Sequence, residues 1–203
     1  MSTEKRIPVI TINRQYGAGG RTIARGLSEK FGIPWYDKDF VKKTAAESGY
    51  SEEDIQAEGE QMSSGSRFLV SILSNSAAYF SSHDGIYQAQ RKVILDLAKS
   101  PCIIVGRCAN FILREEHIPA FSIFLYADEE LRIRRAGELK ENGGMELRKY
   151  VEKIDAARDI YYRNYTHHDI GDYHLYDLML NSGRMNTAEN VDAIAQMVEK
   201  TAR

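Results

Sequence analysis

The sequence has little cysteine and no hydrophobic run long enough to cross a membrane. Cys102 and Cys108 are the only cysteines among 203 residues, and Cys102 lies in an apolar segment, so we expect no disulfide framework. The first residues, Met1 to Arg6, are polar and charged, with no apolar signal core behind them. Since a membrane-spanning helix needs roughly 20 apolar residues in a row, the sequence favours a soluble, cytoplasmic protein without a membrane partner.

A large excess of charge of either sign is also lacking. The formal net charge is -2 and the isoelectric point is near 6.2, which gives no electrostatic reason to expect nucleic acid as a partner. Small acidic metabolites are held by local arginines and not by net charge, so they are not excluded. With 43% hydrophobic residues, the chain suits a single domain, residues 1–203, with room for an inserted subdomain.

The residues from Pro8 to Phe31 predict a strand, a turn and a helix that together hold phosphate. Val9 to Ile12 is a short β-branched run, Tyr16 to Gly20 is rich in glycine, and apolar residues recur at helical spacing from Thr22 onward. In this geometry backbone N–H groups and the positive end of the helix dipole point at one place, where an anion can bind. We expect the phosphate turn at about residues 14–22.

The turn is close to the Walker A motif, G-x-x-x-x-G-K-[ST]. In one register, Gln15 replaces the first glycine, Arg21 replaces the lysine and Thr22 is the hydroxyl residue. In the other, Gly19 is the second glycine, Gly20 is at the lysine position and Arg21 is at the hydroxyl position. We prefer the first register because it keeps a cation, a hydroxyl and the glycines in their working order, although a planar guanidinium differs from a compact ammonium. A glycine-rich turn without a ligand is the alternative.

Further strands alternate with helices along the chain. The expected strands after the first are Trp35–Asp37, Cys102–Val105, Phe121–Tyr126 and Leu178–Leu180; the expected helices include Asp39–Ser48, Ile86–Lys99 and Ala109–Arg114, with a mobile segment at Glu58–Arg67. This order predicts an α/β fold in which a parallel sheet has helices on both faces and right-handed crossovers.

Two charged residues are expected at the carboxyl edge of the sheet, where open parallel sheets bind ligands. Asp37 ends the second strand, and it is either a site residue or the cap of the helix that begins near Asp39. Arg107 follows the strand Cys102–Val105 through Gly106, which puts it beside the phosphate turn.

Residues 128–172 are charged and rich in arginine. One interpretation is a solvated pair of helices. The other is a lid that closes over a phosphoryl donor, excludes water and supplies cations where charge develops. Gly143 and Gly144 would form the flexible turn of such a helical hairpin.

Other side chains indicate little chemistry. His167 and His168 are adjacent and therefore point in different directions, so we expect surface histidines and no histidine metal site. Cys108 has no evident activating partner. Tyr161, Tyr162, Tyr165, Tyr173 and Tyr176 either stack on nucleobases or, as is more common, pack against the core.

Four strings of residues, spread over nearly the whole chain, carry a family resemblance. They are Ile10 to Arg21, Trp35 to Asp37, Ile104 to Ala109 and Tyr176 to Ser182. Together they resemble the cytidylate-kinase-like family of P-loop kinases, a branch of the nucleoside monophosphate kinase fold. The resemblance implies a three-layer P-loop kinase fold with a monophosphate-binding helical part at about residues 38–100 and a lid at about residues 132–170.

The resemblance also implies roles for individual residues. The ATP-binding residues would be Gly17, Ala18, Gly19, Gly20, Arg21, Thr22, Ser182 and Gly183, of which Thr22 would also ligate Mg²⁺. Arg107 resembles the arginine that grips the acceptor phosphate, and Asp37 resembles the carboxylate near the nucleoside acceptor. Arg158 and Arg163 resemble the lid arginines. The implied catalytic residues are Arg21, Arg107, Arg158 and Arg163.

The implied activity is ATP- and Mg²⁺-dependent transfer of the γ-phosphoryl group to a nucleoside monophosphate, with cytidylate as the expected acceptor. Two positions depart from the family's pattern, because Arg21 stands where a lysine is usual and Val105 where a carboxylate that helps to arrange Mg²⁺ is usual. Both positions bear on phosphoryl transfer. The alternatives are therefore a nucleotide-binding protein with weak or lost catalysis, and a kinase for another small metabolite.

Overall fold

Five parallel strands form the central sheet of the part of the chain that the structure describes. The computed structural model describes residues 7–37 and 76–202, and between 76 and 86 mostly the backbone alone. The predicted helix Asp39–Ser48, the predicted mobile segment Glu58–Arg67 and most of the expected monophosphate-binding part lie outside the described residues.

The strands are β1 (Val9–Arg14), β2 (Trp35–Tyr36), β3 (Ile103–Val105), β4 (Ala120–Tyr126) and β5 (Leu178–Asn181). Their order across the sheet is β2-β3-β1-β4-β5, and every pair is parallel. The predicted α/β class and all predicted strands are confirmed. Because β1 lies between β3 and β4, the chain leaves β1 at a point where the strand order reverses, which is where ligands bind in such sheets.

Helices cover both faces of this sheet. They are α1 (Gly20–Phe31), α2 (Ser76–Leu97), α3 (Ala109–Glu115), α4 (Glu129–Leu139), α5 (Leu147–Thr166) and α6 (Thr187–Thr201), with a short 3₁₀ turn at Tyr173–Leu175. Ile10 and Ile12 of β1 pack with residues of α1 and α6. Val9 and, from β3, Ile104 belong to a second buried cluster that includes residues of α2, α3 and α5. The alternation of side chains along each strand therefore builds two cores, one on each face.

Two features of the helices refine the sequence analysis. Helix α6 is not among the predicted helices. A capping box marks its start, because the side chains of Asn186 and Glu189 each form a hydrogen bond with the other residue's backbone. Between α4 and α5, Gly143 and Gly144 both adopt left-handed backbone angles, with φ of 55° and 84°. These two glycines thus form the turn of a helical hairpin inserted between β4 and β5.

The histidines, tyrosines and cysteines considered in the sequence differ in their exposure. His167 and His168 are exposed, Tyr161 and Tyr162 are buried, and Tyr87 stacks on Tyr165 at 4.0 Å between ring centroids. Both cysteines are free and buried, and burial raises the pKa of each thiol. Over the described residues, none of the helices is long and apolar enough to cross a bilayer.

Candidate active site

The turn after β1 has the geometry of an anion-binding loop. β1 ends at Arg14 and α1 begins at Gly20. Gly19 is the N-cap, in a left-handed conformation with φ of 80° and without a side-chain cap, so the first N–H groups of α1 are not capped by a side chain. Free N–H groups at a helix start, together with the helix dipole, favour an anion.

The turn borders a cavity of about 310 Å³, here called the donor cavity. Its lining includes the turn and first helical residues 14–23, Arg135, Glu138 and Leu139 of α4, Arg158 of α5, and Ser182, Thr187 and Asn190 near the start of α6. Among the predicted ATP-binding residues, those from Gly17 to Thr22 and Ser182 line this cavity. Gly183 is not among its lining residues.

Contacts with the helical insertion hold the turn in shape. The backbone N–H of Tyr16 donates to Asp155 Oδ1 at 2.6 Å, and the other oxygen of Asp155 pairs with Arg132 at 2.5 Å. A Cβ at Gly17, which has φ of 79°, would collide with the carbonyl oxygen of Arg132. On the opposite side, Ser182 Oγ donates to the carbonyl of Ala18 at 2.7 Å. The turn is thus pre-shaped by elements distant in sequence.

A second, smaller cavity of about 60 Å³ lies at the carboxyl ends of β1, β2 and β3 and is here called the acceptor cavity. Its lining is Asn13, Arg14, Arg21, Asp37, Val105, Gly106, Arg107, Cys108, Arg158, Tyr161, Tyr162 and Ile170. Arg14, Arg21 and Arg158 line both cavities. The two cavities therefore meet at a group of guanidinium side chains.

Asp37 lies among these guanidinium groups. Its carboxylate is 2.5 Å from Arg21 Nε and 3.9 Å from Arg14 Nη2. Burial alone would raise the pKa of Asp37, but Arg14 and Arg21 outweigh it, with Arg107 adding to their effect, and hold the pKa below its usual value. Asp37 therefore stays ionised and offsets part of the positive charge. The alternative role as a helix cap concerns residues outside those described.

Arg107 emerges at the carboxyl edge of the sheet, as the sequence predicts. Gly106, Arg107 and Cys108 have consecutive left-handed φ angles of 82°, 58° and 55°, which is a costly conformation for residues with side chains. The Arg107 guanidinium lies 5.8 Å from the ring centroid of Tyr161. Among the described residues, no carboxylate lies within ion-pair distance of the Arg107 guanidinium. Asp37 is paired with Arg21 and Arg14 instead.

Glu141, in the loop between α4 and α5, joins the insertion to the phosphate turn. Its carboxylate accepts a hydrogen bond from Tyr16 Oη at 2.7 Å and pairs with Arg21 Nη1 at 3.3 Å. Burial and the bond to Glu141 raise the pKa of Tyr16, which keeps it the donor. The helical insertion is thus held against the turn in this conformation.

The two arginines expected on the lid are placed differently. Arg158 lines both cavities and donates to the backbone oxygen of Arg14 at 3.3 Å. Arg163 lines neither, and its guanidinium is paired with Asp159 at 2.8 Å and Asp169 at 2.6 Å. Because they lie five positions apart on α5, their side chains leave the helix in different directions. We therefore do not retain Arg163 in the proposed site.

Several residues of the site were not selected from the sequence. Arg135 lines the donor cavity, and its guanidinium reaches Ser182 Oγ at 3.5 Å and the Ser182 carbonyl at 3.4 Å. Asn190 also lines it and donates to three backbone carbonyls, while its Oδ1 is buried and has no hydrogen-bond partner within residues 7–37 and 76–202. Of these residues, Arg14 could have been selected from the sequence. It lies directly before the glycine-rich turn, and a charged residue at the end of a buried strand needs a partner.

The residues present meet only part of what Mg²⁺ requires. Mg²⁺ prefers oxygen ligands and usually combines one or two carboxylates with substrate phosphates and water. The Thr22 hydroxyl lies in the first turn of α1 beside the donor cavity, and β3 ends in Val105, without a carboxylate. In the described part of the chain no cluster of three His, Cys, Asp or Glu side chains could hold a metal by itself. The phosphates of a bound nucleotide would have to supply most of the ligands.

Solved structures with similar folds define the class of protein. The structure of an uncharacterized protein from Eubacterium ventriosum matches over 95% of this chain and 98% of its own, with a TM-score of 0.66 and 23% identity. Shikimate kinase from Acinetobacter baumannii in complex with shikimate matches over 97% and 95%, with a TM-score of 0.54 and 14% identity. A gluconokinase from Sinorhizobium meliloti has a TM-score of 0.56 at 14% identity over the same shares of the two chains. The fold is that of the P-loop kinases.

Sequence relatives narrow this class to a family. A cytidylate kinase from Methanothrix thermoacetophila is 31% identical over 182 residues, which are 87% of this chain and 89% of the relative. One from Thermoplasma acidophilum is 27% identical over 197 residues, 96% of this chain and 94% of the relative. The model of the cytidylate kinase-like family matches residues 9–184, and this chain belongs to that family.

Proposed function

We propose that the protein is a kinase that transfers the γ-phosphoryl group of ATP to a nucleoside monophosphate, with cytidylate as the acceptor. The observation that carries the proposal is the meeting of two cavities at shared arginines, Arg14, Arg21 and Arg158. Phosphoryl transfer needs two phosphates held in line with their charge offset. The acceptor is suggested by relatives that are named cytidylate kinase.

The donor would lie along the phosphate turn. The backbone from Gly17 to Gly20 would hold its phosphates, and the adenine would lie toward Ser182, near the start of α6. Arg135 and Arg158 would contact the phosphates from the helical insertion, which would act as the lid. The Thr22 hydroxyl would be the protein ligand of Mg²⁺, whose contribution when bound is to neutralise phosphate charge.

The acceptor would lie in the acceptor cavity, with its phosphate held by Arg107 and its nucleoside near Asp37. An oxygen of the acceptor phosphate attacks the γ-phosphorus, the bond to the bridging oxygen breaks, and ADP leaves with that electron pair. The guanidinium groups stabilise the negative charge that spreads over the transferred group. The sequence-based expectation of a cytoplasmic location is retained as part of this proposal.

A nucleotide-binding protein with weak catalysis is the second candidate. It is favoured by Val105 at the end of β3 and by the pairing of Arg21 with Asp37 and Glu141, since a paired cation has less charge to offer phosphate. A kinase for another small metabolite is the third, because the fold is shared with shikimate kinase and gluconokinase and does not determine the acceptor.

One assay separates these candidates. ADP release is measured with ATP and Mg²⁺ in the presence of CMP, dCMP, UMP, AMP, GMP, shikimate or gluconate, and calorimetry measures binding of ATP alone. Release that depends on CMP or dCMP supports the proposal. ATP binding without release for any acceptor supports the second candidate, and release with shikimate or gluconate alone supports the third. Absence of ATP binding would contradict all three.

A further inference from the structure

We infer that Arg14, the last residue of β1, supplies the cation for the donor phosphates that a lysine supplies in the Walker A motif. The side chain would reach the phosphates from the strand end instead of from the first turn of α1. The inference rests on the proposed function, and it names a catalytic residue that the sequence motif does not select.

The space above Gly20 is the first observation. A Cβ at Gly20 would lie 3.0 Å from Arg14 Cγ and 3.2 Å from Arg14 Cδ. Gly20 is not among the glycines with left-handed φ angles, so its backbone does not require glycine. The aliphatic part of Arg14 therefore occupies the space into which a side chain at position 20, the lysine position of one Walker A register, would extend.

The position of the guanidinium is the second observation. A Cβ at Gly106 would lie 2.5 Å from Arg14 Nη1, so Arg14 passes between a glycine of α1 and the glycine that follows β3. Its side chain is 15% exposed, and it lines both the donor and the acceptor cavity. The guanidinium is thus placed where the transferred group would lie between donor and acceptor.

The charges around Arg14 are the third observation. Asp37 is its one ion-pair partner among the described residues, at 3.9 Å, and three other guanidinium groups lie nearby, those of Arg21, Arg107 and Arg158. Burial, and then Arg158, lower the pKa of Arg14 to about 9, against the opposing effect of Asp37. A buried cation beside other cations is costly without an anion. The polyanionic phosphates of the donor would supply that anion.

Arg21 is less suited to this role. Its guanidinium is already held by Asp37 at 2.5 Å and by Glu141 at 3.3 Å, and its side chain is 38% exposed. Those two carboxylates raise the pKa of Arg21 although burial opposes them. Arg21 therefore ties the helical insertion and β2 to the turn, whereas Arg14 has positive charge that its one distant carboxylate does not offset.

The test moves the cation back to the helix. Arg14→Ala removes it, and Arg14→Ala with Gly20→Lys places a lysine at the lysine position of the Walker A register in which Gly19 is the second glycine. Arg25→Ala, at an exposed position of α1, is the control. Calorimetry gives the ATP affinity of each variant, ADP release gives its turnover, and thermal melting checks folding. We expect Arg14→Ala to weaken ATP binding roughly 10- to 150-fold, the range of a hydrogen bond to a charged group, and the added lysine to recover most of it.

Unchanged ATP affinity in folded Arg14→Ala would overturn the inference, and so would a loss that Gly20→Lys does not restore. If Arg14→Ala does not fold, Arg14→Met keeps the aliphatic part of the side chain, and ATP affinity is measured for Arg14→Met alone, because its Cγ would crowd a side chain at position 20. Unchanged ATP affinity in folded Arg14→Met would overturn the inference. A different result would contradict the proposed function, namely wild-type protein that binds ATP but releases no ADP with any acceptor. Loss and recovery of ATP affinity in the variants would still support the role of Arg14.

Discussion

Replacing Arg107 by methionine should separate acceptor binding from donor binding. Its guanidinium lies 5.8 Å from the Tyr161 ring centroid and has no carboxylate within ion-pair distance among the described residues. The fold should therefore lose the cation–π contact, worth about 0.5–2 kcal/mol between exposed and desolvated sites, and the longer-range attraction between Arg107 and Asp37. A contact to the acceptor phosphate is a hydrogen bond to a charged group, and its loss should cost about 1.5–3 kcal/mol of acceptor binding.

The assay is calorimetry of CMP and of ATP, each with wild type and Arg107→Met, together with thermal melting. We expect CMP to bind roughly 10- to 150-fold more weakly while ATP affinity stays the same. Arg114→Met is the matched control, because Arg114 is an exposed arginine of α3 whose guanidinium donates to the backbone of His174 away from both cavities. Unchanged CMP affinity, or an equal loss for ATP and CMP, would refute the role of Arg107.

Three further predictions concern the turn, the insertion and Asp37. Gly19→Val should abolish ATP binding measured by calorimetry. Gly32→Val carries a similar left-handed strain, and no described residue lies within 4 Å of a Cβ there, so it should keep ATP binding; equal affinities would contradict the assigned turn. Residues 135–168 should resist protease better with ATP and CMP together than without ligand. Glu141→Ala removes the contacts to Tyr16 and Arg21, so it should speed cleavage of the free protein but not of the protein with both ligands bound. An unchanged digestion pattern, with ligand binding confirmed by calorimetry, would indicate a static insertion. The folded pKa of Asp37 is lowered, so its ion pairs stabilise the fold above the unfolded pKa of about 3.9, and this stabilisation is lost as pH falls through the folded pKa. In urea denaturation, the free energy of unfolding should therefore fall less on acidification for Asp37→Asn than for wild type. Equal falls for the two proteins would contradict the pairing.

The local features of the site were readable from the sequence. A β-branched run, a glycine cluster and a helical period predicted the turn, and Gly106 directly after an apolar strand predicted that Arg107 lies at the carboxyl edge. Both depend on contacts within a few residues, which is the range over which periodicity and turn chemistry act. Assigning Arg163 to the site had no such basis, since the side of α5 that faces the turn depends on how the helix packs.

The role of Arg14 shows the limit of motif comparison. A motif compares one position with one residue type, and here position 20 has no side chain while the cation comes from six residues earlier in the chain. Only the close approach of β1 and α1 reveals that the two positions share one space. Glu141 and Asp155 were missed for the same reason, because their partner Tyr16 is more than a hundred residues away in sequence.

The sequence by itself determined the parallel α/β fold, the phosphate turn, the helical hairpin with its Gly143-Gly144 turn and the family, because each follows from local periodicity, turn residues or short strings of residues. The tertiary structure alone decided which charges meet. It brought Arg14, Asp37 and Arg107 from three strand ends to one edge of the sheet, and it paired Arg163 with carboxylates elsewhere. The physical reason is that strand order and helix rotation are set by burial of the two cores, a sum over many distant contacts that no short segment encodes.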